Sequence, residues 1–210
     1  MRSFILAIIL GVVLHGLLTS PAGLLPQTLK IAVNNNEFGS GTVVGYRDGR
    51  PLVLTCAHVV SAHDGKIQID GHSAHILLVD PSVDLAVVML DDHVSYPVAT
   101  IASLQPASGD DEVVVGYPLA RREAIVRGYF GQREDDVVTQ GSAPLYPGNS
   151  GGGVYSWHFF GGWELAGVAD AVAIDTFSFQ FTAVPFLAAN VSYTVSTDVV
   201  RAFLHRLDTL

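Results

Sequence analysis

The sequence predicts an all-β fold, a barrel or a sandwich, closed by one C-terminal helix. Three observations carry that prediction. Short apolar or β-branched runs recur from Leu29 onward, at residues 41–46, 52–55, 76–79, 85–90, 113–116 and 124–130, then at 137–140, 153–155, 163–173 and 193–195. Turn chemistry separates them, as Asp48-Gly49, Asp64-Gly65, Asp70-Gly71, Asp80-Pro81 and Gly109-Asp110. The last segment changes period: Val199, Val200, Phe203, Leu204 and Leu207 fall at helical spacing, with Ser196 or Thr197 placed to cap the helix.

The chain opens on Arg2 and an apolar run over residues 4–18, shorter than the roughly 20 residues a spanning helix needs. Small residues follow, and Ser20-Pro21-Ala22 offers a cleavage site. Residues 1–22 therefore read as a signal peptide cut after Ala22, or as an uncleaved membrane anchor that tethers through residues 4–18. A buried helix of the fold is the third reading. The first two take the chain out of the cytoplasm, and in an oxidising space a lone cysteine, Cys56, is expected to be buried. The remainder, residues 29–210, reads as one domain. Pro97, Pro106 and Ser108-Gly109 mark a soft boundary within residues 94–111, giving halves of about 29–105 and 106–195 and a helix at about 197–207.

Composition excludes several classes. With 49% apolar and 15% charged residues, the chain is no disordered segment. A net charge of -9 argues against nucleic acid as its main partner, because phosphate binding draws on basic surface. One cysteine allows neither an internal disulfide framework nor a multi-cysteine metal site. His58, His63, His72, His75 and His93 crowd one region, but no HExxH pattern accompanies them, and solvated loop positions are expected instead of a metal site. No cofactor motif is present in the sequence.

Three stretches carry chemistry. Thr55-Cys56-Ala57-His58 ends an apolar strand on a histidine. Val83-Asp84-Leu85-Ala86-Val87-Val88 sets a carboxylate before a β-branched run. Pro147-Gly148-Asn149-Ser150-Gly151-Gly152-Gly153 sets a serine in a glycine-rich turn. Each alone has an ordinary structural reading. Together they supply a complete set of roles. A serine nucleophile needs backbone N–H donors aimed where negative charge develops, and glycines clear the approach. It also needs a base, which His58 can be near neutral pH, and the base needs a carboxylate such as Asp84 to fix its tautomer.

On these residues the chain resembles the trypsin-like (chymotrypsin-fold) serine peptidases, most of all the HtrA/Deg branch. The resemblance runs from about Phe38 to Leu207. It includes Gly39-Ser40-Gly41-Thr42-Val43-Val44, the His58 and Asp84 stretches, and Val115-Gly116-Tyr117-Pro118. The Ser150 stretch, Leu165-Ala166-Gly167-Val168 and Tyr193-Thr194-Val195 complete it. It implies two six-stranded antiparallel β-barrels with a C-terminal α-helix. It also implies an endopeptidase acting on protein or peptide substrates, with catalytic His58, Asp84 and Ser150, an acyl-enzyme, and an oxyanion hole of the Gly148 and Ser150 amides. Only three residues follow Leu207, so the PDZ module of HtrA proteins is not expected. The competing class is a trypsin-fold binding module without activity.

The chain departs from the family pattern in places. Asn149 stands where digestive relatives carry an aspartate that receives a newly cut N-terminal ammonium, so activation by cleavage is not expected. The S1 pocket should rest on Pro144 and Leu145, walled by Asp170, Ala171 and Val172. It holds no acid at its base, and suits a small or medium aliphatic residue. Asp170 falls where relatives carry a small hydroxyl residue against the triad acid. It either faces Asp84, where two carboxylates share a proton or repel, or points to solvent. Residues 177–187 alternate with one aromatic face and read as core packing. Asn190-Val191-Ser192 matches a glycosylation acceptor, relevant only on a eukaryotic secretory route. The acid runs 110–112 and 134–136 read as solvated loops.

Overall fold

A computed structural model describes residues 20–34, 37–61, 66–158, 161–179 and 182–209, with the side chains of residues 37 and 171–190 outside the description. The 4–18 segment, His63, the Asp64-Gly65 turn, and the side chains of Ala171, Val172, Asn190 and the 177–187 stretch therefore lie outside the described residues.

The alternating and continuous apolar runs form twelve strands in two closed antiparallel barrels. The first contains β1 (Thr28–Val33), β2 (Glu37–Arg47), β3 (Arg50–Cys56), β4 (Ile67–Ile69), β5 (His72–Asp80) and β6 (Leu85–Leu90), in the order β1-β2-β3-β6-β5-β4. The second contains β7 (Asp111–Gly116), β8 (Ala124–Arg133), β9 (Val138–Gly141), β10 (Gly153–His158), β11 (Gly162–Phe179) and β12 (Thr182–Ser196), in the order β10-β11-β12-β9-β8-β7. Closure pairs every strand on both sides and removes the sheet edges. Strands β1 and β4 carry too few residues, or too many polar ones, to stand out by sequence alone. They form because β1 pairs both β2 and β4, closing the first barrel.

Two-residue turns are where glycine and aspartate foresaw them. Asp48-Gly49 and Asp70-Gly71 both hold positive φ at the two central residues, which splices a hairpin without splaying its right-twisted strands. Strand β6 is buried at every position, and β3 at every position after Arg50. The inward residues fill the barrel, and others are covered from outside. Part of that cover is helix α2 (Thr197–His205), which leaves the second barrel with Val200 and Phe203 buried in the same apolar cluster as Leu52 and Met89. Ser196 stands at the N-cap as expected, but its hydroxyl shares a hydrogen bond with the Thr139 hydroxyl (2.8 Å) instead of capping a helical amide, and the first helical amide, Thr197, donates to Gln105 Oε1 at 2.8 Å. Residues 206–209 finish as a 3-10 turn.

At the other end, Pro21–Gln27 form a 3-10 helix with Pro21, Leu24 and Gln27 buried. The packed unit thus starts before residue 29. Among the described residues no helix is long and apolar enough to cross a membrane.

The acid run 110–112 is not all solvated loop. Glu112 lies in β7 at 0% exposure, its carboxylate accepting from the amides of Ser142 (3.0 Å) and Ala143 (2.9 Å). It ties the chain that leaves β9 to the barrel wall. Burial, only partly offset by these donors, pushes its carboxyl above its ordinary value. The native chain then holds this proton where the unfolded chain has lost it. Stability from this group is full below its unfolded value and falls as pH rises through the folded one. Glu112→Gln should therefore flatten that slope in urea unfolding against pH. Losing one charged acceptor should also lower stability at neutral pH by about 1–3 kcal/mol.

Candidate active site

Strand β3 ends at Cys56, and the chain turns into a short helix, α1 (Ala57–Ser61). His58 stands in the first turn of α1, not at the end of the strand as the apolar run suggested. The change has a local cause. The turn between β5 and β6 presents Asp84, whose carbonyl accepts from the Ala57 amide (3.0 Å) and whose Oδ1 accepts from the His58 amide (2.8 Å). These bonds satisfy amides that open the helix and would otherwise lack partners. Asp84 itself has φ 51, a left-handed conformation that aspartate tolerates better than larger residues.

The second carboxylate oxygen, Oδ2, lies 2.5 Å from His58 Nδ1. With Asp84 ionised, that bond puts the ring proton on Nδ1 and leaves Nε2 as an acceptor. The bond to Asp84 raises the imidazole above its ordinary value, outweighing burial. For Asp84, burial pushes the carboxyl up, but hydrogen bonds from the His58 ring, Asp170 and the His58 amide outweigh it and hold the group below its ordinary value.

Ser150 sits in the second barrel on the chain between β9 and β10, against β2 of the first barrel. The Asn149 amide donates to the Tyr146 carbonyl (3.0 Å), closing a turn with Pro147 and Gly148 at its centre, and Gly148 has φ +95. A Cβ at Gly148 would overlap the Tyr117 carbonyl oxygen. At Gly151, φ +83, it would overlap the Ser40 carbonyl and Thr55 Oγ1. Only glycine fits at either position.

Neighbouring bonds fix the planes of the peptides around the serine. The Pro147 carbonyl accepts from Leu119 N–H (2.6 Å), and the Asn149 carbonyl from Gly152 N–H (2.8 Å). In a trans peptide the N–H points opposite to the C=O, so both planes are locked with the Gly148 and Ser150 N–H groups turned the other way. Among the described residues these two amides donate to no other group, whereas those of Asn149, Gly151 and Gly152 are all engaged. The Ser150 hydroxyl donates to the Asp170 carbonyl at 3.0 Å.

Asp170 does not point to solvent. It is the extra residue of a bulge in β11, between Ala169 opposite Thr194 and Ala171 opposite Tyr193. The bulge turns its side chain toward Asp84, to within 4.8 Å of that carboxylate and 4.0 Å from His58 Nδ1. Burial, then the bond to Asp84 and that group's charge, push its carboxyl up to about 6. Behind it, Cys56 is fully buried and its thiol donates to the Ala169 carbonyl (3.3 Å). Burial and the two carboxylates push the thiol up, so it stays protonated.

Cys56, His58, Asp84 and Asp170 each place one ligand-type atom within 4.8 Å of the others. A cation there would have to displace the proton between His58 and Asp84 and ionise a thiol that burial keeps neutral, so the donor set favours a hydrogen-bonded network over a metal. His72 and His75 lie on β5 rather than in loops, paired at 2.7 Å with Asp92 and Asp91. Of the S1 candidates, Leu145 is buried against Val114, Phe130 and Val154, Pro144 is half-buried, and Ala171 and Val172 lie on β11 opposite Tyr193 and Ser192.

Ser40 is a site residue to which sequence reasoning assigned no role. Its amide donates to the Ser150 carbonyl (2.8 Å), its hydroxyl donates to the Gly148 carbonyl (2.7 Å), and the same hydroxyl accepts from Tyr117 N–H (2.8 Å). A residue of β2 thereby clasps the serine turn of the other barrel. Its only trace in sequence is a small polar residue between two glycines. Ser40→Ala leaves a buried carbonyl and a buried amide unpaired, and should cost about 1–3 kcal/mol in urea unfolding. A loss below a few tenths of a kcal/mol would show the clasp to be dispensable.

Known proteins share this architecture. The family described as the trypsin-like peptidase domain matches residues 39–159. The Rv3671c protease of M. tuberculosis, in its active form, superposes with a TM-score of 0.71 at 22% identity, covering 90% of this chain and 85% of that one. Its inactive form gives 0.69 at 23% identity, covering 91% and 94%. A serine endoprotease from Yersinia pestis gives 0.68 at 20% identity, covering 89% and 64%. At such identities the solved structures establish a shared fold. The family match takes in more than half of the chain, which therefore belongs to the trypsin-like peptidases, the serine-type endopeptidases of this fold.

Proposed function

We propose that the chain is an exported serine endopeptidase that hydrolyses peptide bonds through His58, Asp84 and Ser150 and an acyl-enzyme. The observation that carries this reading is the His58 Nδ1–Asp84 bond of 2.5 Å, together with a serine on the Asp170 carbonyl where, among the described residues, the Gly148 and Ser150 amides have no acceptor. With Nδ1 occupied, Nε2 is the basic atom, and the His58 side chain is half-exposed, open to substrate. Ser150 turns its hydroxyl from the Asp170 carbonyl to Nε2, gives up its proton and attacks the scissile carbonyl carbon. The carbonyl oxygen becomes an oxyanion and takes the Gly148 and Ser150 N–H groups. Asp84 stabilises the imidazolium, which then protonates the leaving amine. Water, deprotonated by the same Nε2, attacks the ester carbon and frees the acid and the Ser150 hydroxyl.

Other features support the rest of the reading. Asn149 is neutral and buried, with Nδ2 lacking a partner among the described residues, so no charged pit awaits a new N-terminal ammonium. The apolar run at residues 4–18 supports export, by a cleaved signal or a tether. A cut after Ala22 would remove the first turn of the Pro21–Gln27 helix.

A fluorophosphonate probe on the intact mature protein tests these points together. Ser150 should label without any cut upstream of Phe38, Ser150→Ala should not label, and the mass of the adduct reads whether the first 22 residues remain. An intact protein that labels only after clipping would overturn activation-free catalysis. Complete absence of labelling would favour the binding module. For turnover, kcat/KM should rise with a midpoint above 6.5, because the bond to Asp84 holds His58 protonated to higher pH. Asp84→Asn should lower kcat by about 10⁴-fold through loss of the correct tautomer. A midpoint at or below 6.5 would contradict the assignment of the base.

A further inference from the structure

We propose that Asp170 is a positioning residue for the His58–Asp84 pair: one proton held between the two carboxyls joins Asp170 to Asp84, and its loss sets two negative charges against His58, raising the pH at which the imidazole becomes a free base. The inference rests on the reading of His58 as the base. It goes beyond that reading, because the three assigned roles are complete without Asp170.

The geometry supplies the argument. Two carboxyl groups can form a hydrogen bond only if one of them is protonated, since two carboxylates offer acceptors and no donor. The Asp84 and Asp170 carboxyls lie within 4.8 Å of each other and Asp170 Oδ1 stands 4.0 Å from His58 Nδ1, so two ionised carboxylates would repel there and a shared proton relieves the repulsion. The β11 bulge fixes that approach, because the extra residue has no cross-strand partner and its side chain is free to turn into the cleft.

The groups that face Asp170 come from three elements. Cys56 ends β3, His58 lies on α1 and Asp84 lies in the β5–β6 turn. The thiol is neutral and engaged with Ala169, so His58 and the two carboxyls form the titrating set among the described residues.

Proton accounting then orders the states. Once a first acid proton has left, the set holds two protons beyond paired carboxylates and a neutral imidazole, one between the carboxyls and one on Nε2 of His58. With one such proton left, it sits either between the carboxyls, leaving His58 free as base, or on His58, leaving both acids ionised. With none, His58 is a stronger base flanked by two charges. The set therefore titrates as a unit, and its apparent values belong to no single residue. A neutral hydroxyl in the place of Asp170 would support Asp84 without this coupling.

Asp170→Asn keeps a donor toward Asp84 and removes the charge; Asp170→Ser installs a small hydroxyl. Two measurements are made on each. The first is the pH dependence of Ser150 acylation by a fluorophosphonate. The second is the titration of the His58 ring followed by NMR in a Ser150→Ala background, which needs no turnover. The expected result is a midpoint about one pH unit lower in both variants, the size of shift a carboxylate within 4–6 Å produces. The His58 curve of the Ser150→Ala protein should titrate in two steps that merge into one when Asp170 is replaced. A purely structural role would lower the acylation rate at every pH and leave the midpoint in place, and superimposable His58 curves would overturn the proposal. If one variant fails to fold, the other carries the comparison. A wild-type serine that never labels would remove the peptidase reading, while the NMR titration would still decide whether Asp170 governs His58.

Discussion

The Asp84 carboxylate is the constraint on which the candidate active site depends. One of its oxygens meets the His58 amide and the other meets the His58 ring, while its carbonyl meets the Ala57 amide. The same residue therefore starts helix α1, places the imidazole and chooses its tautomer. Charge-assisted bonds of this kind are roughly twice as strong as neutral ones, and here they gather on one residue in a left-handed turn. The turn geometry matters as much as the charge. A residue that could not adopt φ near 51 would carry its carboxylate away from both partners.

One buried apolar cluster takes in residues of both barrels, and at the site small polar residues join them as well. Ser40 reaches across to two carbonyls of the serine turn, and the Cys56 thiol reaches the Ala169 carbonyl. The Ser40 bonds satisfy main-chain carbonyls that would otherwise be buried without a partner, and the thiol shares the Ala169 carbonyl with the Gly151 amide (2.7 Å). The rigidity of the Gly148–Ser150 segment follows. Its carbonyls are tied down by Leu119, Gly152 and Ser40, so its free amides need no reorganisation when charge appears before them.

Asp170 changes the electrostatics of this cleft without changing its shape. Its main-chain oxygen takes the Ser150 hydroxyl and its side chain stands within 4.8 Å of Asp84, so one residue lies at both ends of the proposed proton relay. Placing a second acid beside an ionised one costs free energy unless a proton or a cation intervenes. The partly exposed setting moderates that cost, and the neighbouring imidazole offsets part of it.

Local chemistry in the sequence was enough to determine the all-β class, the aspartate–glycine turns and the closing helix, because strand alternation, positive-φ residues and helical spacing are properties of neighbours along the chain. It was also enough to single out His58, Asp84 and Ser150 as candidates, since each stands in a short stretch whose residue types suit one role. Tertiary structure alone decided the rest. Strand β1 and the three-residue β4 exist because barrel closure gives them partners. His58 is helical because a residue 26 positions away accepts its amide. Glu112 is buried, against the reading of its acidic neighbourhood as a loop, because β7 turns it inward onto two amides from another strand's end. Asp170 faces Asp84 because a bulge, visible only once β11 is paired with β12, rotates it into the cleft. Contacts across such distances depend on how closed sheets stack, and no window along the chain contains that information.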